Sequence, residues 1–111
     1  MMASFALTKQ AKSDLKTIAR FTEARWGQAQ RNIYIKQFDD TFHLLADTPT
    51  VGKDCSVIKD GYQKSPQGSH IIFYKTVTHT NIAIKSTDVR SIEIIRILHK
   101  SMDVASTLSD S

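Results

Sequence analysis

The sequence predicts an α+β fold: an N-terminal strand and an antiparallel helical hairpin packed on one face of a mostly antiparallel, three- to four-stranded sheet. Three observations carry this expectation. Two stretches with helical spacing of apolar residues lie before residue 50, separated by a single glycine. After Val51 the texture changes to short runs rich in β-branched and aromatic residues. The final run, Ile92–His99, is apolar on both of its alternating faces, as a strand covered on both sides must be.

Ser4-Phe5-Ala6-Leu7 alternates small or polar with large apolar side chains and reads as a first strand. Thr8 can cap the helix that follows. Ala11, Leu15, Ile18, Ala19, Thr22 and Trp26 form one face of that helix, leaving Lys12, Lys16, Arg20 and Glu23 for solvent. Gly27 breaks it. A second helix is predicted from Gln28 to Ala46, with Ile33, Tyr34, Phe38, Phe42 and Leu45 on its buried side, ended by Asp47-Thr48-Pro49 and Gly52. One glycine between two helices leaves no room for a crossover, hence the hairpin.

Residues 57–65 read as a poorly patterned edge strand, and Ser65-Pro66-Gln67-Gly68-Ser69 as a tight turn. His70–Thr76 is a strand. Residues 81–85 form a further short strand or one arm of a long hairpin, with His79 in a loop, and Ser91–His99 is the closing strand. The expected organisation is one domain over residues 1–105 with a frayed tail over 106–111. The sheet face away from the helices is expected to be open.

With 111 residues, 41% of them hydrophobic and 23% charged, the composition is globular and not that of a disordered chain. No apolar run approaches the ~20 residues of a membrane span, and the N-terminus lacks a charged region ahead of its apolar residues, so no secretory signal is expected. Cys55 is the only cysteine, which suits a reducing, cytoplasmic setting and a buried, inert thiol. The net charge of +4 favours an acidic partner, nucleic acid or protein. The four histidines lack HxxxH or HExxH spacing, and no phosphate-cradling glycine motif or nucleophile elbow occurs, so neither metal nor cofactor is expected.

Arg96 is the anomaly of the closing strand. A guanidinium among isoleucines needs a carboxylate, carbonyls or a bound anion. Either it pairs with an acidic residue of the helices, or it faces a partner. In simple alternation Ile92, Ile94, Arg96 and Leu98 share one face and Glu93, Ile95, Ile97 and His99 the other. Arg96, His99 and Lys100 then form a small basic cluster at the end of the sheet. With His70 and Tyr74 they are the candidate target-binding residues.

Thr8, Ala11, Asp14 and Leu15, then Arg25-Trp26-Gly27, then the run from Pro66 to Tyr74 (PQGSHIIFY), then that from Arg96 to Asp103 (RILHKSMD), together resemble the landmarks of ParE-type toxins. They occur in that family's order across nearly the whole chain. The resemblance implies the fold of the RelE/ParE superfamily, a helical hairpin on a twisted antiparallel sheet. It also implies a toxin of a type II toxin–antitoxin system that inhibits DNA gyrase by binding, with no catalytic residue. Such a toxin meets DNA only through gyrase or the antitoxin, and a ParD-like antitoxin neutralises it within a higher-order complex. Two features depart from the pattern: Ser65 replaces an aromatic residue before the turn, and the stretch between Tyr74 and Ile94 is longer.

The alternatives are a RelE-like ribosome-dependent mRNA nuclease and a non-toxic, antitoxin-binding remnant. Nuclease relatives often end in a tyrosine, whereas Lys100 follows His99 here and no aromatic residue comes after it. Glu93 lies six residues from His99, roughly 20 Å along a strand, too far to share one small site with it.

Overall fold

In the computed structural model, residues 4–56, 59–81 and 86–101 are described, 78–81 and 86–90 by their backbone alone. The order is β1 (Ser4–Leu7), α1 (Lys9–Trp26), α2 (Gln28–Asp47), a 3₁₀ turn (Pro49–Val51), β2 (Lys53–Asp54), β3 (Tyr62–Gln67), β4 (His70–Asn81) and β5 (Ser86–His99). The strands form one sheet in the order β1-β5-β4-β3-β2, all antiparallel except β1 with β5. The sheet has five strands because β1 joins it as an edge and the two-residue β2 adds the other edge.

Thr8 joins the first two elements. Its hydroxyl accepts from the Ala11 amide (3.0 Å), capping α1, and donates to the Ile95 carbonyl (2.8 Å). Its own amide donates to the Ile94 carbonyl. The helix start is thereby locked to β5 at the point where β1 ends, and a cap of this kind contributes about 1 kcal/mol. Gly27, at φ 92°, separates the helices as expected.

The main core lies between hairpin and sheet: Ala11 and Ile18 from α1, Phe38, Phe42, Leu45 and Ala46 from α2, and Ile72, Tyr74, Ile92, Ile94 and Ile97 from the sheet. Phe5, Phe42, Phe38 and Tyr34 form a chain of tilted rings with centroids 4.9–6.1 Å apart. Ile33 and Trp26 depart from expectation. Ile33 is 51% exposed because it lies about 100° around the helix from the Tyr34–Phe38–Phe42 row. Trp26 is 65% exposed because the last turn of α1 overhangs the end of the sheet beneath it.

The face away from the helices is not open. Cys55, Tyr62, Phe73, Ile95 and Leu98 form a second buried cluster there. Burial raises the Cys55 thiol pKa, keeping it protonated. A β-bulge explains why Ile95 and Leu98 share this face. Phe73 pairs with Arg96 and Tyr74 with Ile94, so Ile95 is an extra residue without an opposite partner. Simple alternation therefore fails after Ile94: Ile97 faces the helices, Leu98 faces away, and the grouping of Ile94 with Leu98 is corrected.

The strand expected over 57–65 begins instead at Tyr62 and runs through Pro66 to Gln67, leaving only Gly68-Ser69 as the turn. Pro66 is tolerated because β2 pairs only with Gln63 and Lys64, so no ladder bond is lost on its outer side. His79 lies in β4 and not in a loop, since β4 and β5 stay paired from the turn out to Asn81 and Ser86. Pairing with β3 stops at Lys75 and with β1 at Ser91, so beyond these points the two strands continue as a ribbon, the long-hairpin alternative. Apart from Asn81, the short strand expected over 81–85 lies outside the described residues, as does the tail 106–111.

Candidate functional site

The five residues singled out from the sequence separate into three environments. Arg96 reaches α1: its Nε and Nη2 donate to the two Asp14 carboxylate oxygens at 2.8 and 3.0 Å. The same carboxylate accepts from the Ile97 amide at 3.0 Å. β1 pairs only as far as Ile94, so Asp14 serves the β5 edge where the neighbouring strand has run out. Of the two readings of Arg96, the ion pair to a helix is the one observed, and the Asp14 bond raises the guanidinium pKa further.

Tyr74 is fully buried in the main core, with its hydroxyl donating to the Pro49 carbonyl (2.7 Å). It lies away from the surface where a partner would meet it, a correction to its place among the contact candidates. A strand residue can point to either face of its sheet, and Tyr74 points inward.

His70, His99 and Lys100 do come together. His70 and His99 are the last pair of the β4–β5 ladder, their rings edge to face with centroids 5.3 Å apart. The Lys100 amide closes the end by donating to the Ser69 carbonyl. Tyr34 organises this corner. Its hydroxyl donates to the Gln67 carbonyl (3.1 Å), accepts from the Ser69 amide (3.3 Å) and lies 2.8 Å from His70 Nδ1. A phenol has one proton, so with that proton on Gln67 the His70 ring donates from Nδ1 and keeps Nε2 as an acceptor. At His99 the Ser101 amide donates to Nδ1 (3.2 Å), which leaves the proton on Nε2.

Gly68 makes this corner possible. Its φ of 60° suits the turn, and a Cβ there would stand 2.6 Å from the Tyr34 hydroxyl. Burial and the neighbouring His99 lower the His70 pKa below the ordinary imidazole value, while Asp14 acts weakly in the opposite sense. The unfolded chain therefore binds the His70 proton more readily than the folded one. Stability from this group is present above the unfolded value of about 6.5 and is lost as pH falls from there to the depressed value. An imidazole NMR titration is expected to place the His70 midpoint below 6.5; a midpoint at or above it would contradict the burial argument.

Between this corner and the overhanging end of α1 lies a groove of about 450 Å³, lined by Phe21, Thr22, Trp26, Gln30, Tyr34, Gly68, Ser69, His70 and His99. Phe21 and Trp26 are 63% and 65% exposed. The Arg25 guanidinium stacks on the Trp26 ring at 5.4 Å. Sequence reasoning placed Trp26 and Tyr34 in the core and did not single out Phe21 or Gln30. The one available signal was position: Trp26 occupies the last helical turn before Gly27.

A second groove, of about 610 Å³, runs between the outer faces of α1 and α2, with Leu15, Ala19 and Ile35 flanked by Lys12, Lys16, Arg31 and Lys36. Arg31 is paired with Glu23 and Lys36 with Asp40.

Comparison with known proteins agrees with this architecture. The family model for the ParE toxin of the type II toxin–antitoxin system, parDE, matches residues 5–104. Toxin ParE1 of Caulobacter vibrioides is 33% identical over 107 residues, covering 96% of this chain and 99% of the relative. Toxin ParE1 of Mycobacterium tuberculosis is 31% identical over 104 residues, covering 94% and 96%. A chain of the chromosomal ParDE TA system from P. aeruginosa superposes with a TM-score of 0.64 at 16% identity, covering 89% of this chain and 96% of that one, a likeness of fold. A helical hairpin on this sheet, matched from β1 past the end of β5, places the chain in the ParE toxin family of type II toxin–antitoxin systems.

Proposed function

We propose that the chain inhibits DNA gyrase by binding it, so that cleaved DNA accumulates and replication stalls, and that a ParD-like antitoxin neutralises it. The carrying observation is the family match over residues 5–104, which takes in every described residue but Ser4. The surface at the end of the sheet, with His70, His99 and Lys100, is the proposed target contact. The antitoxin is proposed to fold a C-terminal segment onto the toxin, and the groove between the outer helix faces, apolar in its floor and basic at its rim, suits an amphipathic acidic segment. No described helix is long and apolar enough to cross a membrane, and the cytoplasm is the proposed place of action, where gyrase and its DNA are.

Expression without antitoxin is expected to arrest growth with filamentation and a DNA-damage response. Purified chain is expected to abolish supercoiling by gyrase in vitro and to leave cleaved plasmid. Cleavage of translated mRNA without gyrase-linked DNA breaks would replace this reading with the nuclease, and unimpaired growth under strong expression would replace it with the antitoxin-binding remnant.

A further inference from the structure

The groove under the end of α1 has features that the fold does not require. Two large aromatic side chains, Phe21 and Trp26, are held nearly two-thirds exposed on the last turns of α1. Burying either would be favourable, so stability alone does not account for two such rings left in water side by side on one groove. The polar side of the groove is fixed by the Tyr34 hydroxyl, which has all its hydrogen-bonding capacity in use. His70 and His99 add two imidazole rings to its lining. None of the lining residues is acidic, and Asp14 and Glu23 are paired with Arg96 and Arg31. The Arg25 guanidinium lies 5.4 Å from the Trp26 ring, and Lys100 follows His99 in the chain, so positive charge adjoins two of the lining residues.

We infer that this groove binds single-stranded nucleic acid, taking an unpaired base against Trp26 and Phe21, with its edge toward His70 and His99 and its phosphates toward Arg25 and Lys100. Stacking rings beside cations are the pattern by which proteins hold single strands without reading sequence, since every base has a face to stack. A volume of about 450 Å³ accommodates one nucleotide. A duplex keeps its base faces buried and offers nothing to the aromatic pair. This site shares His70, His99 and Lys100 with the proposed gyrase contact, but the inference is tested with the isolated toxin and nucleic acid, so it can fail without the gyrase reading failing.

The test is direct because Trp26 is the only tryptophan. Purified full-length chain is titrated with a fluorescein-labelled deoxythymidine oligomer of about 12 nucleotides, reading anisotropy and Trp26 emission together. Binding with quenching is expected, together with a shallow salt dependence that corresponds to about two neutralised phosphates. Phe21→Ala is expected to weaken binding about ten-fold, with circular dichroism unchanged because the side chain is exposed. Trp26→Ala is expected to do the same by anisotropy. Absence of binding, equal affinity for a duplex of the same length, or unchanged affinity in both variants would each overturn the inference. So would failure of excess unlabelled oligomer to displace the labelled one, which would show that the dye and not the strand is bound.

Discussion

Asp14→Ala is expected to destabilise the chain by about 3 kcal/mol, more than Arg96→Ala, although the two residues share one ion pair. The carboxylate accepts three hydrogen bonds, two from Arg96 and one from the Ile97 amide. Its removal strands a partly buried guanidinium and an edge amide together, each with a desolvation cost of roughly 1–3 kcal/mol. Arg96→Ala leaves the carboxylate bonded to Ile97 and should cost about 1–2 kcal/mol. The side chains keep 15% and 19% exposure, so the full cost of a deeply buried pair does not apply. Urea denaturation of both single variants and the double variant checks this. The double variant should be less destabilised than the sum of the singles. Equal losses for the two singles would show that the Ile97 bond contributes nothing. A folded, stable Arg96→Ala variant with lost toxicity would restore Arg96 to the contact surface.

Gly52→Ala is expected to cost about 2–3 kcal/mol even though Gly52 has ordinary extended backbone angles, φ −73° and ψ 156°. The cause is steric. A Cβ at this position would fall on the Tyr74 hydroxyl and lie 2.7 Å from Cζ of the same ring. Tyr74 cannot retreat, being fully buried in the main core. Tyr74→Phe alone should cost only about 1 kcal/mol, because the Pro49 carbonyl that it serves also accepts from Gln63 Nε2 at 3.0 Å. In the double variant the worst contact disappears while the ring contact remains. Partial rescue is therefore expected, seen as a midpoint nearer to Tyr74→Phe than additivity allows. Strict additivity would show that the collision is relieved elsewhere.

The elements legible in the sequence were those with a strong local period. β1, the Thr8 cap, α1, α2 and the Gly27 break follow from spacing alone, and the alternation of His70–Thr76 and Ser91–His99 marks the two main strands. The bulge at Ile95 had no local signature: Ile94, Ile95, Ile97 and Leu98 are all apolar, so hydropathy fits either phase. The outer parts of β4 and β5 were left open between a further short strand and a long hairpin arm, because threonine, asparagine and serine carry no apolar alternation there. Their pairing is a matter of backbone bonds. The Asp14–Arg96 pair joins residues 82 positions apart, and only the assembled sheet brings them together. At the candidate site, His70 and His99 could be picked as strand ends, and the hairpin register then places them opposite each other. Trp26 and Tyr34 could not be told from core residues, since their spacing is that of a buried helix face. What exposes Trp26 is the end of the sheet below it.

The pairing of β1 with β5 also governs when this protein can exist as a folded toxin. Ser4 lies opposite Ser91, and Thr8 is tied to Ile94 and Ile95, so the first strand waits for the last. The hairpin's apolar face likewise rests on Ile92, Ile94 and Ile97 of that same last strand. Contacts of such long sequence separation form slowly, because the loop between them must be closed before they stabilise anything. During synthesis the helices emerge without the surface they need, and the sheet cannot assemble until β5 has left the ribosome. A nascent or prematurely ended chain therefore lacks both the partner of β1 and the floor of the main core until β5 is complete.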